Sequence, residues 1–275
     1  MTSGPKLITS LTNERVKAIR ALEMRKARKD TGLFVAEGAA LIITAREHGF
    51  VPETLVVREG AAAAGVARDL VAWALGAGKE CLEVSSAVLE KLASKDNPQT
   101  LLAVFKQRFA EAPPARKIAK DATWLALEEV RDPGNLGTII RTVDAVGAAG
   151  IVLIGQCCDP YQRECVRATM GSIFSVPLVR MRREEFLSWR ADWPGDVAGT
   201  HLDAREDFRK TAYEHPVLLM MGGEGPGLTD SLTRSATRLV KIPMAGKLDS
   251  LNLAVATALA LYQVRGASLS IGSRQ

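Results

Sequence analysis

Apolar and polar residues in the first hundred positions follow the periods of short helices and strands in alternation. Thr12 is suited to cap a helix that runs to about Asp30. The apolar side of this helix would carry Val16, Ile19 and Leu22. Strand-like segments are predicted at 33–35, 54–57, 82–84 and 101–105, and further helices at 38–47 and 61–75. This alternation predicts a small α/β domain with a partly parallel sheet.

A change of composition separates this pattern from a second one. Residues 107–121 contain Pro113-Pro114 among Ala, Arg and Lys, and two prolines cannot continue a helix, so we predict a linker here. Beyond it, strands are predicted at 124–127, 151–154, near 197, 217–221 and 239–242, and helices at 136–146, 161–170 and 251–264. The sequence therefore predicts domains at 1–106 and 122–275, the second an α/β domain with a parallel sheet.

The distribution of charge along the chain indicates what kind of partner the protein binds. The chain has 275 residues and a formal net charge of +5, and 24% of its residues are charged. Seven of the fifteen residues from Arg15 to Lys29 are basic, and Glu23 is the one acid among them. Lys17, Arg20 and Arg28 would gather on one stripe of the first helix, which points to an acidic polymer as partner.

The cysteines and the N-terminal sequence indicate the cellular environment in which the protein is expected to work. The four cysteines, Cys81, Cys157, Cys158 and Cys165, have neither a disulfide framework nor a zinc-ribbon spacing, so reduced thiols and no metal are expected. Residues 1–10 contain no apolar signal-peptide core, and no run approaches the ~20 apolar residues of a membrane helix. We expect a soluble, cytoplasmic protein that does not enter a membrane.

Two polar motifs follow predicted strands of the second domain. In the first, a Pro-Gly turn leads to Asn135, a good helix cap, and Arg141 lies nearly two helical turns further on. A capped helix with a surface arginine is the plain structural alternative. The second, residues 222–228, is rich in glycine but has neither the G-x-G-x-x-G pattern nor a Walker lysine. Glu224 within it would repel phosphate and suits a positively charged sulfonium better, although an ordinary turn explains the glycines equally well.

A third motif spans residues 248–256 and follows Ile242-Pro243-Met244. A strand ends at the proline, a short polar loop follows, and a helix begins with Ser250 and Asn252 at its start. Either side chain could simply cap this helix.

In this order and at this spacing, the three motifs resemble the SpoU/TrmH family of RNA ribose 2′-O-methyltransferases, within the SPOUT superfamily. Residues 8–38 also resemble an N-terminal RNA-binding domain found on many members, through Ile8-Thr9-Ser10, Asn13, Val16-Lys17 and the segment 33–38. The resemblance implies a small ribosomal-protein-like α/β domain followed by an α/β trefoil-knot methyltransferase domain with a mostly parallel sheet. It further implies S-adenosylmethionine as cofactor and a homodimer with active sites near its interface.

The resemblance also implies roles for particular residues. It places in the catalytic centre Arg141, Asn135, Glu224, Ser250 and Asn252. It places around the cofactor Gly222, Ile242, Leu251, Met244 and, as the adenine-side candidate, Thr200. Arg163 and Arg167, in the segment between the first two motifs, join Lys17, Arg20 and Arg28 as candidate RNA contacts; solvated surface arginines are the alternative. Arg141 would stabilise the developing alkoxide, and Glu224 would orient Arg141 or a helix end.

The function expected from these residues is methylation of a ribose 2′-OH in structured RNA. The extra N-terminal domain favours ribosomal RNA of the 23S type over transfer RNA. The same chemistry on transfer RNA remains an alternative, and so does a non-catalytic RNA-binding or ribosome-assembly protein, which the basic first helix would serve equally well. A Rossmann-type nucleotide enzyme is the third reading, although its glycine fingerprint is missing.

Overall fold

The computed structural model describes residues 4–93, 99–247 and 250–269, so Leu248 and Asp249 of the third motif lie outside the described residues. The chain forms two compact units. The first comprises residues up to 108 together with 159–175, and the second comprises 109–158 together with the residues from 176 onward. The predicted mixed α/β class with a mostly parallel sheet is confirmed. No helix within the described ranges has the length and apolar character that crossing a membrane requires.

The first unit is built on a sheet with the strand order β1-β4-β3-β5-β2 among its described residues. Strands β1, β4 and β3 are parallel, and β5 runs antiparallel to both β3 and β2. Its first ten elements are β1 (Lys6–Ile8), α1 (Glu14–Ala21), α2 (Arg25–Thr31), β2 (Leu33–Glu37), α3 (Ala39–Glu47), β3 (Thr54–Arg58), α4 (Gly65–Gly76), β4 (Glu80–Val84), α5 (Ser86–Leu92) and β5 (Leu101–Lys106).

The two faces of this sheet bury different side chains, because successive residues of a strand point to opposite sides. Val35 of β2 belongs to an aliphatic cluster that also contains Val16 and Ile19 of α1. On the other face, Phe34 packs against Tyr161, with ring centroids 4.6 Å apart, and Phe105 packs 5.2 Å from Phe174. Residues 159–175 therefore supply part of the core of the first unit, although the predicted linker precedes them in sequence.

The basic helix predicted from Thr12 to Asp30 is two helices, and this changes the role of Arg28. Helix α1 is capped by Asn13 and ends at Ala21, and α2 begins at Arg25. In the break, Arg28 donates to the carbonyls of Leu22 at 2.8 Å and Glu23 at 2.7 Å. It also donates to Asp159 at 2.8 Å and is only 3% exposed. The prediction that Arg28 faces RNA is wrong, because the break rotates it inward to satisfy free carbonyls.

Replacing Asp159 with asparagine is expected to destabilise the first unit. The change removes the partner of a charged Arg28 that stays buried, and breaking a buried ion pair in this way costs about 3–5 kcal/mol. Chemical denaturation measures the loss. The exposed Arg68–Asp69 pair gives a matched control, since Asp69→Asn should change stability by less than about 1 kcal/mol. Equal effects of the two substitutions would contradict this role for Asp159.

The second unit holds a parallel sheet with the order β10-β12-β9-β11-β6-β7-β8 in its described part. The elements after β5 are β6 (Thr123–Glu128), α6 (Pro133–Ala145), β7 (Gly150–Ile154), α7 (Arg163–Ala168, within the first unit), β8 (Leu178–Met181), α8 (Arg183–Ala191), β9 (Val197–Thr200), β10 (Glu206–Asp207), β11 (Val217–Met221), α9 (Asp230–Ser235), β12 (Arg238–Lys241) and α10 (Leu253–Arg265). Every residue of β6, β7 and β11 is buried, as is usual for central parallel strands.

Part of the predicted linker lies against the second unit. Ala112 and Ile118 pack on the cluster that contains Phe186 and Trp193. The indole of Trp189 donates to the carbonyl of Pro113 at 2.8 Å. The segment contains one short 3₁₀ turn at Ala115–Lys117 and is otherwise not helical. It is held in place by the aromatic residues of α8 and by Trp193, which follows that helix.

Candidate active site

A cavity of about 710 Å³ lies in the second unit at the carboxyl ends of three parallel strands. Thr200, Met221 and Lys241 are the last residues of β9, β11 and β12, and all three line it. Ligands in open α/β sheets bind in crevices at this edge. The other walls come mainly from the glycine-rich loop at 222–228 and from the residues around the start of α10.

The cavity brings together the predicted catalytic and cofactor residues with one exception. Its lining includes Asn135, Glu224, Ser250 and Asn252 of the predicted catalytic set, and Thr200, Gly222, Ile242, Met244 and Leu251 of the predicted cofactor set. Arg141 is the exception. It lies six residues after Asn135 on α6, where its side chain is exposed to solvent. The individual roles of these residues stay predictions.

A continuous chain of hydrogen bonds joins the three motifs across the cavity. Asn252 accepts from the amides of Ala254 at 2.9 Å and Val255 at 3.3 Å, so its oxygen is fixed and its Nδ2 must point the other way. That Nδ2 donates to Oδ1 of Asn135 at 3.0 Å, and Asn135 in turn donates to the carboxylate of Glu224. Each amide therefore has one orientation, and the chain ends on a negative charge at the cavity.

The first turn of α6 explains why Asn135 is available for this chain. We predicted Asn135 as the helix cap, but the cap is Asp132, whose Oδ1 accepts from the amide of Asn135 at 2.6 Å. Pro133 occupies the start of the helix, where its missing N–H is not needed. Asn135 therefore projects from the first turn toward Glu224. The carboxylate of Glu224 thus meets the start of α6, which was one of the two partners predicted for it.

The glycine-rich loop provides a wall made of backbone. A side chain on Gly222 would overlap the backbone of Gly227 and Leu228, and one on Gly223 would come within 3.0 Å of the carbonyl oxygen of Glu129. Two segments of the backbone approach each other here more closely than a Cβ atom between them would permit. Such a wall presents amide and carbonyl groups to a ligand, which suits an uncharged ring or an α-amino acid moiety, whereas Glu224 in the same loop disfavours a phosphate.

Glu128, which sequence reasoning missed, ties this loop to β6. It is 2% exposed and accepts from Nε of Arg183 at 2.9 Å. It also accepts from Thr229 through the amide at 2.8 Å and the hydroxyl at 2.9 Å. Thr229 directly follows the loop and Leu228, so one buried carboxylate fixes the exit of the loop next to the strand that leads into the first motif. The neighbouring Glu129 pairs with the same arginine at 3.2 Å.

Glu128→Gln is expected to loosen the cavity as well as the fold. Glutamine keeps the shape of the side chain, but its NH₂ group cannot accept a hydrogen bond as the second carboxylate oxygen does. The contacts with Arg183 and Thr229 can therefore not all be kept, and about 1–3 kcal/mol of stability should be lost. The affinity of the cavity for its ligand should fall because the loop exit is no longer held. Glu184→Gln on the exposed face of α8 is the control, and it should leave both quantities unchanged. If stability falls but the affinity of the cavity for its ligand does not change, Glu128 supports the fold and not the cavity.

Three further lining residues follow the end of β9 and were also missed. His201, Leu202 and Asp203 line the cavity directly after Thr200. Nδ1 of His201 accepts from the amide of Asp203 at 3.2 Å, and Leu202 is 50% exposed. Their position after a buried parallel strand was the available signal, because ligands gather at the carboxyl ends of such strands.

The candidate RNA contacts of the first unit divide by exposure. Lys17, Arg20 and Arg167 are exposed, and for them the prediction stays open to test. Arg163 is only 10% exposed in its side chain, where it pairs with Glu23 at 3.0 Å and donates to the carbonyl of Leu92. Like Arg28, Arg163 therefore holds the interior of the unit together, and its burial argues against an RNA contact.

Burial disfavours the thiolate form of two of the four cysteines, and the described residues form no group of three or more possible metal ligands. All four cysteines are free, and burial raises the pKa of Cys157 and raises that of Cys81 to about 11. Neither thiol is ionised at neutral pH, so neither is a ready nucleophile. No cluster of three or more His, Cys, Asp or Glu in the described ranges could hold a metal ion.

Comparison with known proteins fits both units to one class of RNA-modifying proteins. The model described as "SpoU rRNA Methylase family" matches residues 122–262, and one described as "MRM3-like substrate binding domain" matches residues 13–103. The first covers more than half of the chain. The protein belongs to the SpoU rRNA methylase family, and the resemblance inferred from the three motifs is confirmed.

Relatives match along nearly the whole chain. The Bacillus subtilis 23S rRNA (guanosine(2553)-2′-O)-methyltransferase RlmP is 30% identical over 95% of this chain and 100% of its own length. The 23S rRNA (uridine(2479)-2′-O)-methyltransferase of Streptomyces viridochromogenes is 31% identical over 95% and 92%. The crystal structure of AdoMet-bound rRNA methyltransferase from Sinorhizobium meliloti is 44% identical, with a TM-score of 0.88 over 96% of this chain and 99% of that one.

Proposed function

We propose that this protein transfers the methyl group of S-adenosylmethionine to a ribose 2′-OH in structured RNA, with 23S-type ribosomal RNA as the preferred substrate. The observation that carries the proposal is the hydrogen-bonded chain from Asn252 through Asn135 to Glu224. It joins all three family motifs around one cavity, in a chain that has two relatives of similar length named as 23S rRNA 2′-O-methyltransferases.

The cavity suits this cofactor in size, shape and charge. Its volume of about 710 Å³ is within the range of pockets that bury a cofactor of this size. The backbone wall at Gly222 and the residues Ile242, Met244 and Leu251 would hold it, and Thr200 with the residues after β9 would form one end. When bound, the cofactor supplies a methyl group on a positively charged sulfonium, which the carboxylate of Glu224 favours electrostatically.

The residues of the chain then have to position the hydroxyl and favour the loss of its proton. A ribose 2′-OH is weakly acidic; on accepting the methyl group it would release its proton to solvent water, and the cofactor would leave as the neutral thioether. A guanidinium stays protonated and is a poor base, so Arg141 instead stabilises the developing alkoxide or a neighbouring phosphate. Asn135 and Ser250 orient the substrate at the cavity. Correct placement of the reacting atoms alone contributes several kcal/mol.

The first unit supplies the RNA-binding function in this proposal. Residues 1–106 form the proposed substrate-binding domain and 122–275 the methyltransferase domain. The match of residues 13–103 to a substrate-binding model supports this division, and the exposed Lys17 and Arg20 of α1 supply positive charge for RNA phosphates. The two 23S rRNA relatives support ribosomal over transfer RNA.

We further propose a cytoplasmic homodimer with a trefoil-knotted second unit. Support for the dimer comes from α10, where Val255, Leu259 and Tyr262 are 49%, 42% and 51% exposed. Their spacing places them on one side of the helix, and exposed apolar stripes of this kind mark interaction surfaces.

Leu259→Glu is expected to shift the protein from dimer to monomer, because it introduces a charge into this apolar stripe. Light scattering after size exclusion measures the mass of each form. Val66→Glu, at a comparably exposed apolar residue of α4, is the matched control and should leave the mass unchanged. A wild-type protein that elutes as a monomer, or a Leu259→Glu protein that stays dimeric, would contradict the proposed interface.

The test of the catalytic proposal is transfer of labelled methyl from S-adenosylmethionine to unmodified 23S rRNA and to unmodified transfer RNA in parallel. Label in 23S rRNA at one alkali-resistant linkage is the expected result. Label confined to transfer RNA would keep the chemistry and overturn the substrate. Cofactor binding without label in either RNA would contradict both proposed substrates. Absence of cofactor binding would contradict the enzyme itself and favour a non-catalytic RNA-binding protein.

A further inference from the structure

Met170 has an unusual backbone conformation. Among the described residues, Glu129 and Met170 are the non-glycine residues with positive φ, at 51° and 52°. Glu129 precedes the first motif and pairs with Arg183, so its position belongs to the site already described. Met170 lies in the first unit, far along the chain from any of the three motifs. A methionine rarely adopts this conformation unless its surroundings impose it.

The residues on either side of Met170 impose the conformation. Thr169 is fully buried, and its hydroxyl donates to the carbonyl of Val166 at 2.6 Å and accepts from the amide of Gly171 at 3.3 Å. Gly171 packs so closely on Thr44 that a side chain there would come within 3.0 Å of it. Gly171 also accepts from the amide of Phe174 at 3.0 Å. The turn is therefore held from both ends.

This rigid turn directs an apolar side chain to the surface. Met170 is 64% exposed although both of its neighbours are packed inward. Its amide donates to the carbonyl of Arg167 at 3.1 Å, which places the exposed Arg167 in the same turn. The surface thus presents an exposed thioether and, three residues earlier in the same turn, an exposed arginine.

This pair of side chains matches an unpaired nucleotide. Proteins insert methionine and other apolar side chains against or between bases, and arginines contact the adjoining phosphates. A protein partner fits less well, because a stable interface buries about 800 Å² on each side and one methionine next to a charge offers far less apolar surface. RNA loops with splayed bases are the form in which proteins read RNA most specifically.

We propose that Met170 packs against an unpaired base of the RNA substrate while Arg167 contacts the neighbouring phosphate. Met170 is then a substrate-positioning residue in the first unit. This inference rests on the proposed RNA substrate and adds a specific point of contact to it. It also accounts for the positive φ of Met170, because a rigid turn would fix the position and direction of the side chain that contacts the base.

The experiment compares Met170→Asn, Arg167→Gln and the control Val66→Ala for affinity to an unmodified 23S rRNA transcript and to transfer RNA. Asparagine tolerates the left-handed conformation, so Met170→Asn removes the apolar tip without straining the turn. Because it removes the burial of an apolar side chain, it should weaken binding of the RNA that is methylated by about 10- to 100-fold, with an unchanged salt dependence. Arg167→Gln should weaken binding and also reduce the slope of log affinity against log salt by about 0.7–0.9. Val66, exposed on α4, should show no effect.

Cofactor affinity and thermal unfolding serve as internal controls, and both should be unchanged in all three variants. Unaltered RNA affinity of a folded Met170→Asn protein would overturn the base contact. A change of oligomeric mass in Met170→Asn, without a change in RNA affinity, would instead assign Met170 to an interface between copies. Wild-type protein that binds S-adenosylmethionine but neither RNA would overturn the proposed substrate together with this inference. Methylation that proceeds normally in Met170→Asn at low RNA concentration would overturn this inference alone.

Discussion

Arg141→Ala is expected to lower the rate of methyl transfer by about 10²–10³ at saturating cofactor and RNA. The guanidinium does not line the cavity, but it is exposed on α6, the helix whose first turn reaches the cavity through Asn135, and so it is able to meet a substrate. Because its charge would act on the alkoxide that forms only during reaction, kcat should fall while the affinity for S-adenosylmethionine stays the same. Single-turnover transfer of labelled methyl and calorimetric cofactor titration measure the two quantities.

Two companion variants sharpen this test. Arg141→Lys keeps the charge but not the planar fork of donors, so its rate should fall between those of the wild type and the alanine variant. Arg234→Ala, at an exposed arginine of α9, is the matched control and should transfer methyl at the wild-type rate. Wild-type turnover by Arg141→Ala would remove Arg141 from the reaction. A loss of cofactor affinity equal to the loss of rate would assign it to cofactor binding.

Gly222→Ala is expected to abolish cofactor binding, with at least a ~100-fold rise in Kd. The added Cβ would overlap the backbone of Gly227 and Leu228, so the loop must move away from the ligand. Loss of two or three hydrogen bonds at ~1 kcal/mol each corresponds to ~100-fold in Kd. Isothermal titration with S-adenosylmethionine measures the effect. Gly246→Ala is the control, because a side chain there meets no atom within 4 Å. Undiminished binding by Gly222→Ala would place the cofactor outside this cavity.

The sequence by itself determined the class of fold and picked out nine of the residues that line the cavity. Apolar runs over 124–127, 151–154 and 217–221 predicted β6, β7 and β11, and all three are found within two residues of the predicted limits. Buried parallel strands need apolar side chains on both faces, so their signal is continuous and strong. The three motifs follow such strands or their turns. Their residues meet at one cavity because parallel strands end at one edge.

Elements with weaker patterns were not predicted. Helix α8 buries only Phe186 and is otherwise rich in charge, and α9 buries only Leu232. Strand β1 is three residues long and exposes two of them. Short elements at the margin of a core need few apolar positions, so hydrophobic periodicity carries little information about them.

Tertiary structure alone decided which polar residues are structural and which face the cavity. Arg28 has the same local sequence character as its basic neighbours, yet it is buried because Asp159 and two helix-end carbonyls lie where its side chain points. Asn135 is as good a cap as Asp132 by propensity, but the helix begins one turn earlier and leaves Asn135 for Glu224. Glu128 lies in an apolar strand, and its partner Thr229 is a hundred residues away. The residue type fixes the chemistry of a side chain. Its charge partners come from distant segments, which only the folded chain brings within hydrogen-bonding distance.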